Sequence, residues 1–265
     1  MERSTATGNL QVFLLQKHPE PPTKINAMAD MQFLLIDIRN DLKNRADEKV
    51  KEKSQRFFKG ELKSYGLSNP DVHALSKYYY KLMDSPSVEE VFQLCELLWH
   101  SGYAEEALMA CDLSYYVKKQ YQAAHLKLFE SWIDKYVNNW ASCDAFCNHT
   151  VGTLLQKYPD LLSELKSWTR SENRWMRRAA AVSLIVPARK GKFFGEIIEI
   201  ATLLLTDSDY LVQKGYGWML KEASKEHEEK VFDFVMANKD VMPRTALRYA
   251  IEKMPKTLKE QAMMK

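Results

Sequence analysis

From Asp30 almost to the carboxyl terminus, apolar residues recur at mixed three- and four-residue steps among charges, as in Phe33, Leu34, Ile36, Ile38, Leu42 and Val50. That is the repeat of an amphipathic helix, and no run sustains the period-two alternation of a half-buried strand. Breaks are few and fall where helices begin. Ser68-Asn69-Pro70-Asp71 puts a capping serine ahead of a proline in the first turn. Stretches 84–90 and 101–106 open further helices, and breaks recur at Tyr158-Pro159, 187–191, 206–209 and Met242-Pro243. Between them lie segments of roughly ten to twenty residues, ordinary helix lengths. Only 9 glycines and 9 prolines occur in 265 residues, too few for a turn-rich all-β chain. The chain is expected to be all-α.

A charged content of 28% beside 46% hydrophobic residues excludes bulk disorder. The net charge of +3 permits a nucleic-acid partner without demanding one. No apolar stretch approaches the ~20 residues of a membrane helix, so no membrane association is expected. The amino terminus, with Glu2 and a short apolar patch at Val12 to Leu15, makes a poor signal peptide. The four cysteines, at 95, 111, 143 and 147, do not form a disulfide framework in a chain of this size. The expected compartment is therefore the reducing cytoplasm. Residues 1–27, with His18-Pro19-Glu20-Pro21-Pro22-Thr23, read as an extension or disordered segment. Residues 28–265 read as one domain, expected to be a monomer.

A repeat then emerges. Trp140, Arg178 and Trp218 each sit in a helix that follows a polar turn, spaced 38 and 40 residues apart. Paired helices at a period near 40 are the signature of HEAT-like repeats, which stack into a curved solenoid with a concave face. A plain helical bundle with coincident spacings is the alternative. Within this frame Trp140 and Asp144 are four apart and share a helix face, as do Arg174 and Arg178, and Lys214 and Trp218. In a solenoid, Trp140, Asp144, Arg178 and Trp218 converge on one cleft.

These residues carry a resemblance. Asn139-Trp140-Ala141-Ser142-Cys143-Asp144, then Asn173-Arg174-Trp175-Met176-Arg177-Arg178-Ala179-Ala180, then Gly217-Trp218-Met219-Leu220-Lys221-Glu222 and Pro243-Arg244-Thr245-Ala246-Leu247-Arg248-Tyr249-Ala250-Ile251 stand in order at repeat spacing. Over about residues 30 to 255 the chain resembles the AlkD-type DNA alkylation repair family, HEAT-like DNA glycosylases. The resemblance implies excision of positively charged purines alkylated at N3 or N7 from double-stranded DNA. It places the catalytic aspartate at Asp144, the cleft tryptophans at Trp140 and Trp218, and a backbone-gripping arginine at Arg178. Phe57 is the match for an aromatic of the amino-terminal helices, where the family often has tyrosine, and Trp140-Ala141 stands where it often has Trp-Asp.

Further basic residues, among them Arg170, Arg174, Arg177, Arg189, Lys190, Lys192, Lys214, Arg244 and Arg248, form a candidate phosphate track. No cofactor is expected, since the chain has no Gly-rich phosphate loop, nucleophile elbow or zinc-protease helix motif. Cys143, Cys147 and His149 lack a fourth ligand, and the cysteines read as buried packers rather than zinc ligands. Trp99, Trp132, Trp168 and Trp175 read as core residues, and Glu222, Glu226, Glu228 and Glu229 as a solvated helix face. The tyrosine runs 78–80 and 115–116 read as packing between helices. A non-catalytic module binding DNA structures or a protein partner is the competing function, because fold does not fix function. Asp144 separates the two, since a carboxylate among phosphates opposes binding and serves catalysis.

Overall fold

The structure, a computed structural model, describes residues 27–264, so the amino-terminal extension lies almost wholly outside the described residues. Those residues contain helices and no strand. In chain order the helices are α1 (Ala27–Asn44), α2 (Glu48–Gln55), α3 (Asn69–Leu82), α4 (Val88–His100), α5 (Ala104–Tyr116) and α6 (His125–Tyr136). There follow α7 (Trp140–Phe146), α8 (Gly152–Lys157), α9 (Glu164–Trp168), α10 (Arg174–Val182) and α11 (Ile185–Ala188). The chain closes with α12 (Phe194–Leu203), α13 (Tyr210–Ala223), α14 (Glu228–Asn238), α15 (Arg244–Ala250) and α16 (Lys256–Met263). A π turn, Cys147–Val151, joins α7 to α8 without a break.

The starts are chemically marked. The Ser68 hydroxyl accepts from the Asp71 N–H, with Pro70 in the first turn of α3. Ser87 and Glu90 form a reciprocal capping box on α4. Asn139, Asn173 and Asp209 cap α7, α10 and α13 with their side chains.

Helices α3, α5, α7, α10, α13 and α15 pack each on the next and form an inner layer. They begin at residues 69, 104, 140, 174, 210 and 244, so the unit recurs every 34 to 36 residues. Helices α1, α4, α6, α9, α12 and α14 cover this layer from outside. The architecture is the expected helical-repeat solenoid, but its period is shorter than the expected 40. Trp140, Arg178 and Trp218 are the first, fifth and ninth residues of their helices. They therefore lie on successive turns rather than at one repeat position, and matching them to each other lengthened the period.

Between the layers lie the largest buried side chains, with Trp99, Trp132 and Trp168 each at most 2% exposed. The ladder repeats chemically: Glu96 accepts the indole N–H of Trp132, and Glu130 that of Trp168 one unit later. Tyr79 is buried and Tyr80 meets Tyr116 across helices, as expected of the tyrosine runs. Cys143 and Cys147 are fully buried in this core, and burial pushes the Cys143 thiol well up. At the carboxyl-terminal end α13 lies tight against α15. A Cβ on Gly217 would stand 2.7 Å from the Ala246 carbonyl oxygen and from the Tyr249 Cβ, so only glycine admits this approach.

Candidate functional site

Because α7, α10 and α13 are capped at equivalent points, their opening turns stand side by side. The first residues are Trp140, Arg174 and Tyr210; the fifth are Asp144, Arg178 and Lys214. Trp218 lies one turn further along α13. These residues line a cleft of about 1040 Å³. Its opposite lip is a strap, residues 56–63, that leaves α2 and brings Phe57, Phe58, Lys59 and Lys63 to the cleft.

At the centre, Asp144 and Arg178 form a two-pronged ion pair, with Nε to Oδ1 and Nη2 to Oδ2 both at 2.8 Å. The third guanidinium nitrogen, Nη1, donates to the Leu211 carbonyl. Both side chains are largely buried, 15% of Asp144 and 6% of Arg178 being exposed. Burial pushes the Asp144 carboxyl above the usual carboxylate range, and the Arg178 guanidinium draws it part of the way back. Burial opposes the charge on Arg178 too, but the Asp144 carboxylate outweighs it and holds the guanidinium protonated. Arg178 fits because α13 carries Gly215 opposite it, where a Cβ would lie 3.3 Å from the arginine Cγ. The arrangement fixes one carboxylate, ionised and oriented, at the bottom of an open cleft.

The indoles of Trp140 and Trp218 line the same cleft. Trp140 is 37% exposed, stacks on Phe58 with ring centres 5.4 Å apart, and donates its N–H to the Phe57 carbonyl at 3.4 Å. Trp218 is half-buried, and its N–H reaches Glu222 at 3.4 Å. Glu222 is not the solvated residue expected. It is buried and held by Arg189 at 2.8 Å and Lys225 at 2.6 Å. The rest of that acidic run, Glu226, Glu228 and Glu229, is exposed as expected.

The expected basic residues divide. Arg174 lines the cleft, half exposed, and pairs with Asp209 at 3.2 Å. Lys214 lines it with its ammonium 5.2 Å from the Tyr210 ring centre. Arg177, one residue before Arg178 and rotated some 100° from it, turns away from the cleft. It pairs with Asp207 at 2.6 Å and donates to the carbonyls of Ser171 and Glu172, which makes it a loop clamp. Arg244 and Arg248 are exposed on α15 beyond the cleft lining, Arg244 reaching the Met263 carbonyl at 3.4 Å. Arg189 is drawn off by Glu222.

Phe57 reaches the cleft as expected and is 67% exposed, yet the ring that stacks on Trp140 belongs to its neighbour Phe58. Trp175, expected in the core, lines the cleft and is only partly buried. Sequence reasoning missed Phe58, Lys59, Tyr210 and Tyr249. For Tyr210 a signal existed: Asp209-Tyr210 repeats the cap-then-first-residue pattern of Asn139-Trp140 and Asn173-Arg174. Among the described residues no group of three or more His, Cys, Asp or Glu side chains is placed to hold a metal ion. No described helix is long and apolar enough to cross a membrane.

The model of the family described as DNA alkylation repair enzyme matches residues 38–254. No curated protein matches the chain significantly. The fold is similar to that of a protein from Enterococcus faecalis described as a predicted DNA alkylation repair enzyme. The TM-score is 0.72 at 20% identity, over 80% of this chain and 97% of that one. It is also similar to smu.31 from Streptococcus mutans UA159, with a TM-score of 0.53 at 19% identity, over 83% of this chain and 98% of that one. A family match over most of the chain, on the fold this family shares, makes the chain a member of the DNA alkylation repair enzyme family.

Proposed function

We propose that the cleft binds double-stranded DNA carrying a purine alkylated at N3 or N7 and hydrolyses the N-glycosidic bond of that base. The observation that carries this reading is the Asp144 carboxylate, fixed by Arg178 in a cleft open to solvent that Trp140 and Trp218 also line. An alkylated purine already bears positive charge. When its bond to C1′ breaks, the bonding pair passes to the purine ring nitrogen, cancels that charge, and a neutral base leaves without a general acid. The deoxyribose becomes an oxocarbenium-like cation. Asp144 stabilises it and orients the water that attacks C1′, the water's proton passing to the carboxylate or to solvent. The indole faces of Trp140 and Trp218 attract the same cationic species, by about 0.5–2 kcal/mol each. Arg174 and Lys214, at the cleft lip, meet the phosphate backbone. Arg178, spent on Asp144 and Leu211, serves as the positioning residue for the carboxylate.

A mechanism without an acid is tested by leaving-group charge. Single-turnover release is expected for 7-methylguanine and 3-methyladenine, which are cationic in DNA, and not for neutral lesions such as 8-oxoguanine or ethenoadenine. Equal release of neutral and cationic bases would overturn it. The carboxylate also sets an acid limb. Asp144 must be ionised, and its folded pKa is raised above the ordinary ~3.9. Enzymatic release, corrected for spontaneous depurination, should therefore fall as pH drops through a midpoint above that value. A profile with no acid limb at all would remove Asp144 from the chemistry.

A further inference from the structure

The cleft holds more arginine than free arginine charge. Arg178 is neutralised by Asp144, and Arg174 shares its charge with Asp209. Of the cleft lysines without a carboxylate partner among the described residues, Lys63 is held by the Ser101 carbonyl at 2.8 Å, which leaves Lys59 on the strap and Lys214 on α13. Both converge on one ring. The Lys59 ammonium stands 4.3 Å from the Tyr210 ring centre and that of Lys214 5.2 Å. Cation–π attraction of about 0.5–1 kcal/mol is too little by itself to explain two like charges held beside one half-buried ring. A shared anion removes that conflict.

The strap is built to keep Lys59 there. The Gln55 side chain closes it from α2, donating to the Gly60 carbonyl at 2.7 Å and accepting the Leu62 N–H at 2.8 Å. Just beyond, the buried Glu105 carboxylate takes the Ser64 hydroxyl at 2.6 Å and the N–H groups of the next three residues. Phe58 pins the other side on Trp140. An exposed loop of eight residues is thus fixed at both ends and in the middle, and its ammonium is presented across the cleft from α13.

We infer that Lys59 and Lys214 together seat one backbone phosphate of the DNA over Tyr210, so that the strap grips the strand from the side opposite α13. The inference rests on duplex DNA being the ligand of the cleft and adds a contact that no arginine there supplies. The test is the salt dependence of binding to an undamaged duplex by the full chain, from about 50 to about 200 mM salt. Lys59→Met and Lys214→Met should each weaken binding several-fold. The double variant should weaken it by less than the product of the two, since both loosen one phosphate. Its slope of log affinity against log salt should be shallower than wild type by about 0.9, the value for one phosphate. Tyr210→Phe, which keeps the ring, should leave the slope unchanged. A double variant with the wild-type slope would show that the lysines only tether the strap to Tyr210, and a loss of about twice 0.9 would mean two separate phosphates; either overturns the shared seat. A wild-type chain that does not bind duplex would overturn the functional reading along with it.

Discussion

Replacing Asp144 by asparagine is expected to lower single-turnover release of 7-methylguanine by about 10²–10³-fold, the usual cost of losing a preorganised charge at the reacting centre. The amide keeps the size of the carboxylate and one of its two acceptors for Arg178 but leaves the guanidinium without its counter-charge, so the comparison is made on protein shown to be folded. The substitution removes the negative charge that faces the developing cation. Affinity for the same duplex should hold or rise, because a carboxylate near phosphates repels them. The two readouts must move apart: rate down, binding not down. Rate and binding falling in parallel would recast Asp144 as a packing residue of α7.

Arg178→Met should cost about 3–5 kcal/mol of stability in denaturant unfolding, the range for breaking a buried pair from one side. The orphaned Asp144 would stay largely buried with no counter-charge, and the Leu211 carbonyl would lose its donor. Its pKa would then rise further, since burial already raises it and Arg178 is what restrains it. In the protein that remains folded, the acid limb of base release should move toward neutral pH. Replacing both partners, as in Asp144→Leu with Arg178→Met, should recover most of the lost stability and none of the activity, because apolar replacement of a whole buried pair is often neutral or better. An Arg178→Met chain as stable as wild type would mean that the pair is solvated and that the guanidinium does not hold the carboxylate in place.

The helical class was legible because periodicity is a local signal, and the caps Ser68, Asn139, Asn173 and Asp209 stand where the helices begin. The repeat was legible too, but its period was not. Trp140, Arg178 and Trp218 invite alignment by their chemistry, whereas the unit is set by caps and first residues at 34- and 36-residue steps along 140, 174 and 210. What failed were partners distant in the chain. Nothing local distinguishes Arg177 from Arg178; their fates depend on Asp207, 30 residues on, and Asp144, 34 residues back. Glu222 belongs to an acidic run, yet it is buried and paired with Arg189, 33 residues earlier, as well as with its neighbour Lys225. The strap was the least legible part. Loops have no periodicity, so which of Phe57 and Phe58 meets Trp140, and where Lys59 points, are settled by contacts 82 and more residues away.

Asp144 is proposed to be the group through which this cleft breaks the glycosidic bond of a cationic purine. The most direct measurement is the yield of free 7-methylguanine and 3-methyladenine from methylated duplex DNA, without added metal, for wild type and Asp144→Asn, with binding of the same duplex followed in parallel. Free bases and abasic sites are expected in equal number from wild type, and almost none from a variant that binds as well. Wild-type protein that binds the duplex and releases no base would contradict it and leave a DNA-binding scaffold in its place.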